Sequence, residues 1–470
     1  MAIVDIGCSG GRALRAGYRP GSAASEIAIA IAIAIAVSLF IHASAASQPA
    51  PPDFIPLLQQ SRIASEEKFH LDDSVDSLGN NVESLLKYAR QHNPEYAGTR
   101  YDAQAAAERI GSAGALADPV FRADVMDVTQ IGQPSPMPVP FGGTIFSIKQ
   151  ELPWFGKRDL KREIAEAEAE GANFQVRGTW LDISAKIKIA YAQLYFVQRN
   201  EQLTREVLKL MQQLEKVASV RYSSGSGNQQ DVIRAQTEQT AMRNELVAIN
   251  NDRRQAQARL NSILSRPSQA PLATPETLRT VPPPEKVSLA ALDDQVRRQN
   301  PQLSLDDTRV RSSEKNRELA YKNRYPDVTV GVLQNQYQNA FNQWGVMLEL
   351  NIPIQQEARR SREREAEAMV SAAQARRTAT ANQILSSLAE TLSALDAARE
   401  TDRLVAGSLL PQAQATYDSA LEGYKNGKVD FATLLEAQRQ IRIARLNQLK
   451  AKTDSQVRLA ELERILGEDL

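Results

Sequence analysis

The chain has 470 residues with 56 Lys+Arg against 56 Asp+Glu, so its formal charge is zero and nothing in the balance argues for a nucleic-acid partner. Its one cysteine, Cys8, and three histidines, His42, His70 and His92, cannot supply a disulfide framework, a thiolate site or a zinc site in the body of the chain, and no cofactor is expected.

Residues 1–45 have the layout of a secretory signal. Arg12, Arg15 and Arg19 form a positive start, Ile27 to Ile41 an apolar core, and Ala43-Ser44-Ala45 a small-residue cleavage site. The apolar run is short for a bilayer-spanning helix, and Pro49, Pro51 and Pro52 follow it at once. Cys8 precedes the core, whereas a lipoprotein cysteine would end it, so export without a lipid anchor is expected. Residues 46–80 then form an N-terminal periplasmic segment.

The rest repeats itself. Pro94 and Pro301 lie 207 positions apart, as do Pro119 and Pro326. Tyr222, Gly225, Ala235-Gln236 and Ile263-Leu264 recur 202 positions on as Tyr424, Gly427, Ala437-Gln438 and Ile465-Leu466. The constant offsets define an internal repeat, 81–266 and 287–470, around a linker at 267–286 whose Pro267, Pro271, Pro275 and Pro282-Pro283-Pro284 cannot continue a helix.

Each half opens with a helix, 82–116 and 288–323, ended by the bias of a pre-proline residue against the α region. Strands follow at 120–128 and 144–152, and at 327–335 and 345–352, where residues such as Val346, Leu348 and Leu350 alternate with Met347 and Glu349. The period then changes. Long helices are expected at 158–221 and 358–422, and 64 helical residues reach about 95 Å, more than a compact core needs. Ile187, Ala190, Leu194 and Val197, then Leu203, Val207, Leu210, Leu214 and Val217, step by three and four as a coiled-coil seam does. Turns at 223–227 and 425–428 reverse the chain into returning helices at 229–264 and 431–467.

The strands carry the functional argument. Each approaches the nine to eleven residues that a tilted strand needs to cross a bilayer, with apolar residues alternating against Arg122, Asp124, Lys149, Glu151, Glu349 and Asn351. Four strands cannot close a barrel, and open edges are not tolerated in hydrocarbon. Three copies would supply twelve strands, whereas two would leave too narrow a lumen. The expected fold is therefore mainly α with a membrane β-barrel: a trimeric, twelve-stranded outer-membrane barrel continued by a long periplasmic helical barrel. Trp154, Phe155 and Tyr325 stand at the strand-to-helix junctions, where interfacial aromatics belong.

The duplicated order of helix, strand pair, long helix and turn, with Tyr222-Ser223-Ser224-Gly225 and Tyr424-Lys425-Asn426-Gly427 before returning helices that carry Ala-Gln, resembles the TolC outer-membrane efflux family over essentially the whole mature chain. The resemblance implies a homotrimer in outer-membrane lipid that docks a periplasmic adaptor and an inner-membrane RND transporter. It also implies a gate and docking surface at the far turns, drawn from Arg221, Tyr222, Gly225, Asp231, Arg234, Tyr424, Gly427 and Asp430. Asp430, like Asn228 in the first half, is also well placed as an N-cap, and Asp231 suits the positive end of its helix. The segment from Gln150 to Arg158 is similar to one frequent in the heavy-metal branch, which points to metal cations, with drugs as the other class. An enzyme is not expected, since no nucleophile, base and orienter converge and no glycine-rich phosphate loop follows a strand. A protein secretion duct shares this architecture, and a periplasmic scaffold would share the helices but have no use for the strands.

Overall fold

The computed structural model describes residues 78–126, 143–337 and 340–470. The expected signal, residues 46–77 of the following segment, and the end of the first strand with its loop at 127–142 lie outside the described residues. The first half contains α1 (Val82–His92), α2 (Pro94–Ala113), β1 (Val120–Met126), β2 (Gly143–Leu152), α3 (Lys157–Ser223) and α4 (Gln229–Ile263). The second contains α5 (Leu289–Gln299), α6 (Pro301–Lys322), β3 (Val328–Tyr337), β4 (Ala340–Leu350), α7 (Gln356–Leu404), a π-turn at Val405–Leu409, α8 (Leu410–Lys425) and α9 (Phe431–Leu466).

The opening helices differ from expectation, because each is two helices. The breaks fall at Asn93 and Asn300, where Pro94 and Pro301 bring no N–H and drive the preceding residue to ψ 119. Each asparagine then acts twice. Asn93 accepts from the Tyr96 N–H at 3.0 Å and donates through Nδ2 to the Ile263 carbonyl at 2.8 Å. Asn300 accepts from Gln302 and Leu303 at 2.9 and 3.1 Å and donates to the Ile465 carbonyl at 2.8 Å. The cap of one helix thereby secures the frayed end of the returning helix, α4 or α9. The expected helix 358–422 is likewise interrupted. Pro411 has no N–H for the carbonyl four residues back, and the chain widens into the π-turn just before it.

The strands form one antiparallel sheet in the order β1-β2-β3-β4, in which β2 of the first half pairs β3 of the second from Gly143↔Tyr337 to Leu152↔Val328. β3 and β4 extend beyond the expected 327–335 and 345–352 at their loop ends. The register lines Phe121, Ile148, Val332 and Val346 across one face, where they are 65%, 56%, 50% and 86% exposed. Arg122, Ser147, Lys149, Glu151, Thr329 and Glu349 share the other face, with Lys149 and Glu349 at 3.6 Å.

The helices pack side by side through small residues. Arg158 and Arg162 rest near Gly114 at the end of α2, and Ala165 and Ala169 continue that flank of α3. Ala167 and Gly171 lie on the opposite flank against α6, where a Cβ on Gly171 would stand 2.8 Å from Thr308 Oγ1. A helix enclosed on two flanks and wet elsewhere needs alanines there, which explains how so polar a sequence builds so long an element. The seam also shifts along α3. Ile187, Ala190, Leu194, Val207 and Leu214 are buried, but Val217 is 39% exposed and Met211 and Ala218 are buried instead. A straight helix at 3.6 residues per turn drifts off a strict 3.5 repeat.

A charge cluster joins the halves. Lys188 on α3 and Glu463 on α9, 4% and 2% exposed at their side chains, pair at 2.8 Å. Arg279 of the linker holds both Glu463 oxygens at 2.8 and 3.0 Å, and Asp469 is the second partner of Lys188. Two cations and two carboxylates balance, which is what makes burial tolerable.

Asn300→Ala removes a cap and orphans the Ile465 carbonyl, so it is expected to cost roughly 2–4 kcal/mol in thermal melting of the detergent-solubilised protein. Asn300→Asp keeps the cap but not the Nδ2 donor and should recover only about 1 kcal/mol of that.

Candidate functional site at the helix turns

The turns that end α3 and α8 are built alike. Gly225 and Gly427 take φ +74 and +70, a left-handed backbone that favours glycine. Around the first, Gly225 N–H donates to the Tyr222 carbonyl at 3.0 Å and Ser226 N–H to Arg221 at 2.9 Å. Around the second, Gly427 donates to Tyr424 at 3.1 Å and Lys428 to Gly423 at 2.8 Å. These paired bonds are the Schellman closure of a helix end.

The side chains exchange roles between the copies. In the first turn Arg221 faces Gly227, where a Cβ would come 2.9 Å from the arginine's own. In the second, the equivalent Gly423 receives Val429. Large faces small in both, but the order is reversed, and at this pair of positions the first turn carries an arginine where the second carries Val429. Arg221 bridges to the second hairpin. Its guanidinium lies 4.7 Å from the Tyr424 ring centroid, donates to the Tyr424 carbonyl, and reaches the Ser226 carbonyl at 3.2 Å.

Tyr424 is 2% exposed and also packs on Phe431 at 5.3 Å, while its hydroxyl has no hydrogen-bond partner among the described residues. Tyr222, its equivalent, is exposed. Burial raises the Tyr424 pKa, and nearby Asp231 adds to the shift. Asp231 itself is raised by burial, opposed by Arg234 and Arg221 and reinforced by Asp430. The four charged residues are therefore close enough to interact, although no ion pair joins Asp231 to either arginine among the described residues. Asp430 behaves oppositely. It caps α9 by accepting from the Thr433 hydroxyl and, at 2.9 Å, the Thr433 N–H, and those two bonds hold its carboxyl below the usual range. Asn228, the corresponding residue of the first turn, makes no such side-chain cap. Arg234 lines an open groove between α4 and α9 with Gln229, Ile233, Thr237, Leu435 and Arg439.

Phe431, Thr433 and the Gly423–Val429 contact were not among the expected site residues. The signal for the last of these was the failure of Arg221 and Gly227 to match Gly423 and Val429 at the repeat offset. The expected interfacial aromatics do meet at the other end of α3. Trp154 stacks on Tyr325 at 5.3 Å and 8°, and Phe155 closes edge-on at 5.9 Å. Lys157 supports the corner from beneath, donating to the Tyr325 carbonyl at 3.0 Å and to Asp327 at 2.8 Å. Among the described residues no group of His, Cys, Asp or Glu could hold a metal ion, and no helix is long and apolar enough to cross a membrane.

The outer membrane efflux protein family matches residues 85–266 and 292–468, one match to each half. The chain belongs to that family. As an outer membrane efflux protein it works as a channel and not as an enzyme. No curated protein sequence matches it significantly. Among solved structures, the outer membrane protein VceC of Vibrio cholerae has a TM-score of 0.70 at 17% identity, covering 83% of this chain and 96% of its own. CusC gives 0.71 at 16%, with 86% and 96% covered, and the open-state MtrE channel of Neisseria gonorrhoeae 0.69 at 15%, with 86% and 94% covered. At these identities the likeness is one of fold.

Tyr424→Phe deletes a buried hydroxyl that bonds to nothing among the described residues, and the melting temperature of this efflux protein should hold or rise. Tyr424→Ala removes the plate between Arg221 and Phe431 and should cost roughly 3–5 kcal/mol in the same measurement.

Proposed function

We propose that three copies of this outer membrane efflux protein close one twelve-stranded barrel and assemble their helices into a periplasmic tunnel. This exit duct would passively conduct what an inner-membrane RND transporter delivers through a periplasmic adaptor. The observation that carries the reading is the sheet: its apolar face is bare, and β1 and β4 are edges without a partner strand among the described residues. In hydrocarbon both edges must be paired, which further copies can do. A scaffold without a pore would leave that face in water. The expected transport substrates are metal cations, on the Gln150–Arg158 segment alone, with drugs as the other class.

The turn cluster is the proposed gate and docking surface. Asp231 and Asp430, repeated around a threefold axis, would ring the opening with carboxylates and favour cations.

The protein should run as a heat-modifiable trimer in detergent extracts of outer membranes, and a monodisperse monomer soluble in plain buffer would reject the barrel. In planar bilayers, Asp231→Asn and Asp430→Asn should each change conductance and weaken cation selectivity, while parental behaviour in both would make these aspartates structural. Selectivity should fall with pH in two stages. Asp231, with its pKa raised by burial, loses its charge first on acidification, and Asp430, lowered by Thr433, loses it later. A deletion strain with unchanged metal tolerance and lost drug tolerance would move the substrate to the second class.

A further inference from the structure

Helices α2, α3, α6 and α7 lie side by side in that order, so among the described residues α2 and α7 are the outer edges of the layer. Within each half the shorter helix packs on the long one, α2 on α3 and α6 on α7, and the halves meet where α3 packs on α6. The repeat therefore contains a second version of the α3–α6 contact, between α7 and α2, whose two sides a single chain holds apart. Equivalent positions can be read off exactly enough to compare them. α2 and α6 correspond at 207 positions, as Pro94 and Pro301 do. α3 and α7 correspond at 201, since buried Ile187, Tyr191 and Leu194 answer buried Leu388, Leu392 and Leu395. The π-turn at Val405–Leu409 then adds the one residue that makes the offset 202 at the turns.

At the α3–α6 contact Glu163 pairs with Lys315 at 3.0 Å and Glu170 with Arg311 at 2.7 Å, while a Cβ on Gly171 would stand 3.7 Å from that of Thr308. The two edges differ from these residues on both sides at once. Glu163 is replaced by Arg364 on α7 and Lys315 by Glu108 on α2, which is the same ion pair with its signs exchanged. Glu170 and Arg311 are replaced by Ser371 and Gln104, so neither charge is stranded. Gly171 and Thr308 are replaced by Ala372 and Tyr101, so a small residue again faces a larger one. These flanks are bare in the single chain. Tyr101 is 71% exposed, Ala368 is exposed where its equivalent Ala167 is buried, and Glu108 and Arg364 are exposed without an ion-pair partner among the described residues.

We infer that α7 of one copy packs against α2 of the next, with Arg364 paired to Glu108 of the adjoining copy and Ala372 set beside its Tyr101. This seam rests on the barrel reading above, since it needs copies of the chain around one axis. The exchanged signs also give it direction. A copy docked half a repeat out of place would set Arg364 against Lys315, or Glu108 against Glu163, and like charges there oppose it. The ion pair thus tells the contact between copies from the contact within one.

The test uses the full-length protein in outer membranes, carrying Tyr101→Cys and Ala372→Cys on one chain. Its own Cys8 lies in the expected signal. The 3.7 Å Cβ separation at the equivalent pair is one that a disulfide spans, so oxidation should link the copies into covalent dimers and trimers on denaturing gels, reversed by reduction. Tyr101→Cys with Ala379→Cys, displaced about 10 Å along α7, should give none. Glu108→Lys and Arg364→Glu should each lower the temperature at which the trimer dissociates, because like charges then meet at all three seams, and the two together should restore it. A trimer that forms without the link, or that links equally through position 379, overturns the seam and leaves the barrel reading standing. A double charge variant no more stable than the weaker single one overturns the ion pair. A monodisperse monomer in plain buffer overturns the barrel reading together with the seam.

Discussion

The pairing of β2 with β3 is the contact on which the remainder depends. These strands belong to different halves of the duplication, and their ladder from Gly143↔Tyr337 to Leu152↔Val328 merges the halves into one sheet. A slip of one residue would turn every side chain to the wrong face, so the bare apolar row and the polar row opposite it are consequences of this register. Where the ladder ends, it sets Trp154 against Tyr325 and Lys157 under Asp327. Those contacts start α3 beside α6, and Gly171 lets the two helices close up against Thr308. Further along α3, Lys188 meets Glu463, and at its end Arg221 reaches Tyr424.

The two halves keep one backbone plan and solve its local problems differently. Asn261 and Glu463 are equivalent and both buried. Asn261 donates to the Ser268 and Ala270 carbonyls of the linker that follows α4, so an amide suits it. Glu463 receives Lys188 and Arg279, so only a carboxylate will serve. At the turns, the exchange of Arg221 and Gly227 for Gly423 and Val429 preserves the packing and lets Arg221 reach across to Tyr424. The duplication supplies the scaffold, and the departures from it supply the contacts between hairpins. An outer membrane efflux protein of this design thus carries its asymmetry in a few side chains.

Much of this was legible in the sequence. The offset prolines and glycines reveal the repeat because they act locally: a proline ends or breaks a helix wherever it stands, and a glycine at +70 is needed wherever that turn occurs. Period two identifies the strands for the same reason. The helix breaks at Asn93 and Asn300 could have been read from Asn-Pro by that logic, since both residues are strong boundary signals. The departure of Val217 from the seam could not, because a drift of a few degrees per turn leaves no mark in any one residue.

The sequence by itself determined the amphipathic strands and the reversal points, which follow from properties of neighbouring residues. Only the tertiary structure decided which strands pair, which carboxylate of the many Lys188 and Arg279 would find, and that Arg221 would lie over Tyr424. Those choices join residues 168 to 281 positions apart in the cases of Lys157 with Tyr325 and Lys188 with Asp469. Nothing in a local window ranks one distant partner above another, because the energy of such a contact depends on how the surrounding chain excludes water from it.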